Sequence, residues 1–410
     1  MKRFEDLMYG HNELYFSENF KFEDGFIFRN IKFENIVLDN NSIGSVDTQI
    51  FQFTNTINGT GVYDTHNFNF IDCIFDEELK LNNIINRTIK FENCSFTNIV
   101  LKNIKRNNEE VKNGFTLKNI KSIKNLTVDS CEFHGKFYIN KEDDEISNQL
   151  NIGKLIIKNS EFKNNFKLHN CKVNEIEIKD VDFEKNADFY KSKFIKGIDE
   201  NDIYFKSINF KSLALFGDTE FFEKLIFKYV TFEGHNHFKS AKLHKGLDLE
   251  YTNVQKEINF YGMEILDKNT TSQETYRIIK NQFEKLNNKI EANKYHALEM
   301  EQHRKSVWKN IFKCNSFFES LSDGIISLVH WISSNHSSSW IRALVWIFVV
   351  SFITSWSLGS VTLDNFFKYI NILSKIEDFN CSYMAMTLNK VSLGYLYYQF
   401  LTAVRKDTRK

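Results

Sequence analysis

The chain has 410 residues, room for two or three domains, with 53 basic and 53 acidic side chains and no net charge. That balance excludes a strongly basic nucleic-acid binder and the acidic surface of a DNA mimic. There are 41 Phe and no Pro, a bias that reads as an AT-rich genome acting on a fold that uses large apolar residues but no proline.

In chain order, residues 1–19 are mixed in character and lack the apolar core of a cleavable signal peptide. They are expected to cap a repeat array, whose exposed end needs covering. A pattern then begins: Phe20-Lys-Phe22, Phe26-Ile-Phe28, Ile31-Lys-Phe33, Ile36-Val-Leu38. It breaks between Asp39 and Asn67, and resumes at Phe68-Asn-Phe70, Cys73-Ile-Phe75 and Leu79-Lys-Leu81. The clearest stretch is Cys171 to Phe194. There the larger members of each triplet, Val173, Ile178, Phe183, Phe189 and Phe194, stand 5, 5, 6 and 5 apart, each preceded by a charge and, before that, by a small or apolar residue. A repeat near five fits neither a helix nor one long strand. It predicts three strand-like residues, a corner, and a repeat, with Phe96, Val173, Ile178, Phe183, Phe189, Phe194, Phe232 and Leu243 among the core. Breaks follow at 102–114, 140–151 and 195–202, and the register then runs in fives and sixes to Phe260.

Cys94-Ser95-Phe96, Ala187-Asp188-Phe189, Ser192-Lys193-Phe194 and Ala241-Lys242-Leu243 resemble the small-polar-large units of the pentapeptide-repeat family. The resemblance implies a mainly β fold over 20–262, a right-handed quadrilateral β-helix with four five-residue sides per coil. Steps of six and bulky leading residues imply wider coils. About eight coils at the usual strand spacing would make a rod about 40 Å long. The ending Gly394-Tyr-Leu-Tyr-Tyr-Gln and the segment Glu274-Thr-Tyr-Arg-Ile-Ile-Lys resemble membrane-associated bacterial members of that family. That likeness implies a bacterial inner membrane location.

After the repeats, Thr271-Ser-Gln-Glu274 reads as a capping box opening one long amphipathic helix over 270–307, its apolar positions alternating three and four apart from Tyr276. Residues 317–332 suit a helix lying along a membrane surface. Residues 341–363 hold a 21-residue run without charge from Ala343, long enough to cross a bilayer. A second span is expected over 381–404, carrying Lys390 about 21 Å from its far end, where the amine can snorkel. Basic residues before the first span (Lys305, Lys309, Lys313, Arg342) and after the second (Arg405, Lys406, Arg409, Lys410) place the repeats and both termini in the cytoplasm.

Signals for catalysis are weak. His235, His237 and His244 lack a second pair at ligand spacing, and Glu175, Glu177, Asp180 and Asp182 fall at outward positions. Cys73, Cys94, Cys131 and Cys171 occupy small inward positions rather than a zinc motif. The expectation is no catalysis, no cofactor and no metal. The chain reads as a membrane-anchored interaction scaffold with membrane lipid and an unidentified protein as partners, no nucleic acid, and self-association through the helix or spans open. Two alternatives stand beside it. One is a subunit of an oligomeric two-span channel or transporter whose pore Lys390 could face, although no Thr-Val-Gly-Tyr-Gly filter is present. The other is a regulator of an enzyme.

Overall fold

The alternation of large apolar and charged residues becomes a stack of short parallel strands. A computed structural model describes residues 20–22, 25–29, 32–33, 36–38, 67–82, 88–105, 113–140, 149–311, 317–337, 339–359 and 361–408. The expected cap at 1–19 lies outside them, as does Cys314. The chain divides into two units, Met1–Thr271 and Ser272–Lys410, taken separately below.

The first unit holds an 11-stranded and a 15-stranded sheet. Among the described residues every pairing is parallel except Phe20–Phe22 with Gly25–Arg29. The chain keeps returning beside itself. Leu155 pairs with Ile176, 21 residues on; Ile178 pairs with Phe205, 27 on; Phe205 pairs with Phe227, 22 on. Rounds of unequal length thus stay in register, the surplus leaving the ladder between strands.

Turning is done by single residues at positive φ. One series runs Asn93, Asn119, Asn140, Asn170, Lys191, Asp218 and Ser240; another runs Asn103, Ser130, Asn159, Asp180, Ser207 and Tyr229. Asn, Asp and Ser dominate because short polar side chains tolerate the left-handed conformation best after glycine. Corner amides stay paired: Asn170 N donates to Tyr190 O at 3.0 Å, Lys191 N to Gly217 O at 3.0 Å, and Asp218 N to Lys239 O at 3.0 Å. A lone left-handed residue therefore bends a strand without ending its ladder. For this reason Cys171–Phe183, expected as short pieces, is one 13-residue strand paired along its length with Leu150–Phe162.

Inside, phenylalanines stack from round to round. Phe137, Phe166, Phe189, Phe216, Phe238 and Phe260 form one column with centroids 5.5, 5.4, 4.9, 4.6 and 5.4 Å apart. Phe162, Phe183, Phe210 and Phe232 form a second at 5.2, 5.2 and 5.3 Å. Edge-to-face contacts such as Phe162–Phe166 at 4.9 Å lock the columns together. These spacings track the inter-strand distance of a sheet, so backbone pairing and ring stacking reinforce one another.

The second unit is helical. Helix α1, Gln273–Lys285, is capped by Ser272, whose Oγ accepts from Thr275 N at 3.2 Å. The cap falls one residue later than the sequence suggests, because Thr271 Oγ1 accepts from Leu247 N at 3.1 Å. Helix α2, Lys289–Ile311, follows after a break. The single helix expected over 270–307 is thus two. Asn287 turns left-handed (φ 56°) and Asn288 N donates to Phe283 O at 2.8 Å, closing α1 in the manner of a Schellman cap. The pair folds into a hairpin in which Phe283 stacks on Tyr295 at 5.4 Å. Glu299 on α2 holds Arg277 and Lys280 of α1, each at 3.0 Å.

Helices α3 (Phe317–Ser334), α4 (Trp340–Ser357), α5 (Leu363–Ile370) and α6 (Tyr383–Thr408) complete the unit. Among the described residues α4 is the one helix long and apolar enough to cross a membrane. It is 18 residues, about 27 Å. The span expected to reach residue 363 stops sooner, because Gly359 turns left-handed (φ 74°) and its N–H donates to Trp356 O at 3.1 Å. The second expected span, 381–404, falls on α6 from Tyr383 onward but does not reach the same apolar composition. Thr387, Asn389, Lys390, Ser392, Gln399 and Thr402 dilute it, and Asn389 and Gln399 are buried within the unit.

Candidate interaction surface

The outward side chains of the first unit form rows of cross-round partners. Lys196 meets Glu175 at 3.0 Å, Lys193 meets Glu220 at 3.1 Å, Lys163 meets Glu132 at 2.6 Å, and Asn209 Nδ2 donates to Asp182 Oδ1 at 2.7 Å. Each pair joins residues about one round apart in sequence, since parallel stacking puts equivalent positions side by side. Half-exposed pairs of this kind contribute 0 to about 1 kcal/mol each. Their effect is to neutralise the face.

Two features interrupt that neutrality. The first is a groove of about 520 Å³ whose walls include Lys105, Glu132, Glu161, Asp180 and Asp182. Burial, with Glu132 and Glu184 nearby, pushes the Glu161 carboxyl above its usual range. The Lys163 ammonium holds Glu132 below it. The second is an aromatic pair, Tyr229 and Tyr251, 60% and 59% exposed with centroids 5.9 Å apart. Tyr229 occupies a left-handed corner (φ 58°), where bulky residues are outliers. Exposed tyrosine is over-represented in protein contacts, since it offers a large amphipathic surface at small entropic cost.

The residues singled out from sequence fall as follows. Phe96, Val173, Ile178, Phe183, Phe189, Phe194, Phe232 and Leu243 are buried in the first unit. Cys73, Cys94, Cys131 and Cys171 are buried too, and burial pushes the Cys131 and Cys171 thiols well up. The three histidines do not converge on one another. His235 leans on Glu257 at 3.5 Å, while His244 stacks on Phe222 at 4.4 Å and faces Glu220 at 3.8 Å. Burial lowers the pKa of His237. Among the described residues no group of three or more His, Cys, Asp or Glu is arranged to hold a metal. Lys390 is half-buried and, among the described residues, makes no ion pair.

Sequence reasoning missed how polarity is distributed in the helical unit. On α4 the buried residues are Ala343, Ile347, Ser351, Thr354 and Ser355, while Ile341, Val345, Phe348, Phe352, Ile353 and Trp356 are exposed. On α6 the exposed face carries Met384, Leu388, Val391, Tyr398 and Leu401, and Asn389 Nδ2 donates inward to Thr354 Oγ1 at 2.9 Å. Deeper in, Gln399 is fully buried and its Oε1 accepts from Ser334 Oγ at 2.9 Å and Ser337 Oγ at 2.7 Å. The signal was present in the sequence as small and polar residues recurring at helical spacing inside apolar runs. A scan against protein-family models and searches of curated proteins and of solved structures find no match to this chain.

Proposed function

We propose that this chain is a membrane-anchored scaffold of the pentapeptide-repeat type. Its first unit is a right-handed quadrilateral β-helix that presents a cytoplasmic face to a protein partner. Helices α4 and α6 cross a bacterial inner membrane as a hairpin, with both termini in the cytoplasm. The observation that carries the reading is the polarity of α4 and α6. Large apolar side chains such as Phe352, Trp356, Val391 and Leu401 lie outside, while Ser351, Asn389 and Gln399 are buried beside a small apolar core of Ile347, Leu393 and Leu396, an arrangement that suits lipid better than water. Round-to-round pairing at intervals of 21, 22 and 27 residues supports the β-helix. The composition of α6 suits a span whose polar residues are used up on α4 and the interior rather than shown to lipid.

Two measurements test it. A membrane-impermeant thiol reagent applied to intact cells should label a cysteine placed at Lys375 and not one placed at Thr408; the reverse pattern, or labelling of neither, overturns the hairpin. A photo-crosslinking residue at Tyr251 should trap a defined protein in intact membranes, while one at Lys172 should trap it less. Equal yields from both positions, or none from either, would sink the docking face.

A further inference from the structure

The helical unit carries a half-open cavity of about 360 Å³ that the scaffold reading does not use. His296 and His303 of α2, Ser327 and His330 of α3, His336 of the turn after α3, and Lys406 of α6 line it. The turn is tightly held. Asn335, His336 and Ser337 are all left-handed (φ 51°, 57° and 60°), Ser337 N donates to Ser334 Oγ at 2.8 Å, and His336 N donates to His330 O at 3.1 Å.

Two groups on the cavity wall lack partners among the described residues. Ser327 is 6% exposed with an unbonded Oγ, and His336 is 5% exposed with an unbonded Nε2. A buried hydroxyl and a buried ring nitrogen left this way carry the full desolvation penalty unless something enters to bond them. The surrounding field says what that is. Lys406 is half-buried and makes no ion pair among the described residues. Burial first, then the charges of His330, Arg304 and His296, hold His336 down at about 4. The nearby acids are committed elsewhere: Glu299 to Arg277 and Lys280, with His296 at 3.6 Å, and Glu301 to Lys305 at 3.0 Å. Asp323 is the one carboxylate on the wall, and it is exposed. The site therefore concentrates uncompensated positive potential beside unpaired hydrogen-bonding groups.

We propose that this cavity binds a phosphate oxyanion, with Lys406 supplying the charge and Ser327 and His336 the neutral hydrogen bonds. Gln399 Nε2 lies 3.4 Å from His330 Nδ1, and both hydroxyl bonds to Gln399 go to its Oε1. The His330 Nδ1 is thereby the acceptor, and its Nε2 keeps the proton as a further donor. The ligand is either free phosphate or the headgroup of an anionic lipid.

The test uses the full chain in a neutral maltoside detergent, titrated by calorimetry with inorganic phosphate and with dihexanoyl phosphatidic acid. Saturable uptake of either supports the site. Tighter binding of the lipid identifies a headgroup; equal binding identifies free phosphate. Lys406→Gln should weaken binding about tenfold and Ser327→Ala by a few-fold, whereas Lys289→Gln, an exposed change elsewhere on α2, should leave it unchanged. Thermal unfolding run alongside confirms that the variants remain folded. No saturable uptake by the wild type, or unchanged affinity in both folded cavity variants, overturns the proposal. The measurement needs neither a bilayer nor a protein partner, so its failure is separable from failure of the scaffold reading.

Discussion

The two units of this chain differ in what they leave on the outside. In the first, apolar rings fill the interior and charges pair on the outside: Phe183 and Phe189 are fully buried while Lys196 and Glu175 meet at the surface. In the second, Ser351 and Gln399 are fully buried while Phe352 and Trp356 are 51% and 70% exposed. On the proposed membrane reading one sequence carries two solvent assumptions, and the same substitution should have opposite meanings in the two units.

The sharpest way to break the contrast is a charge in each apolar position. Phe183→Asp places an unpaired carboxylate among stacked rings and should cost several kcal/mol, read as loss of strand signal in circular dichroism and of soluble repeat unit on proteolysis. Phe352→Asp puts the charge on the outside of α4. If lipid surrounds that face it should cost about 3 kcal/mol of insertion, seen as loss of protein from alkali-washed membranes. In water the same exposed position should cost under about 0.5 kcal/mol, and retention equal to wild type would end the membrane reading.

Acid should separate the units next. Burial holds His336 at about 4 in the folded helical unit, against 6.5 for an ordinary histidine. The unfolded chain therefore takes up a proton first, and stability is fully present above about 6.5 and falls as pH drops from there toward about 4. The carboxylates of the repeat unit have the same sign but act at lower pH. Lys163 lowers Glu132 and Lys211 lowers Glu184, so their contribution persists through that window and fails only as pH falls below the ordinary carboxylate range. Helical circular dichroism should soften between pH 6.5 and 5 while the strand signal holds. Simultaneous loss would contradict the separation.

A smaller effect sharpens the interior. Asn389→Ala removes the bond to Thr354 and should cost about 0.6 kcal/mol in detergent unfolding, typical of a hydrogen bond between helices in lipid. The smallest lies on the repeat face. Lys172 is exposed and pairs in register with Lys193, so Lys172→Glu should change stability by less than about 0.5 kcal/mol, in either direction, by urea titration.

The inward positions from Cys171 to Phe194 are readable in the sequence because a spacing of five or six between Val173, Ile178, Phe183, Phe189 and Phe194 admits few geometries. Corners were expected, but the residues that make them were not read, although Asn159, Asp180 and Ser207 announce them, since one left-handed residue bends the chain without leaving a gap in the pattern. The break at Asn287 was hidden for a related reason. Ile290 continues the three-four spacing across it, so periodicity alone reads straight through a hairpin turn. The lining of the histidine cavity was illegible for a third reason. His296, Ser327, His336 and Lys406 come from separate segments, and only tertiary packing brings them to one wall.

The tolerance of the ladder for rounds of 21, 22 and 27 residues makes the first unit a gauge as well as a surface. Residues added at a corner lengthen the loop and leave the calibration untouched. A whole round added or removed shifts every later feature by one graduation, about 4.8 Å, along the strand-stacking direction. The distance between the acidic groove near Glu161 and the tyrosine pair at Tyr229 and Tyr251 is therefore inherited in discrete steps. A partner that grips both can be lost or regained by duplication or deletion of about 22 codons, with no change to any residue it touches.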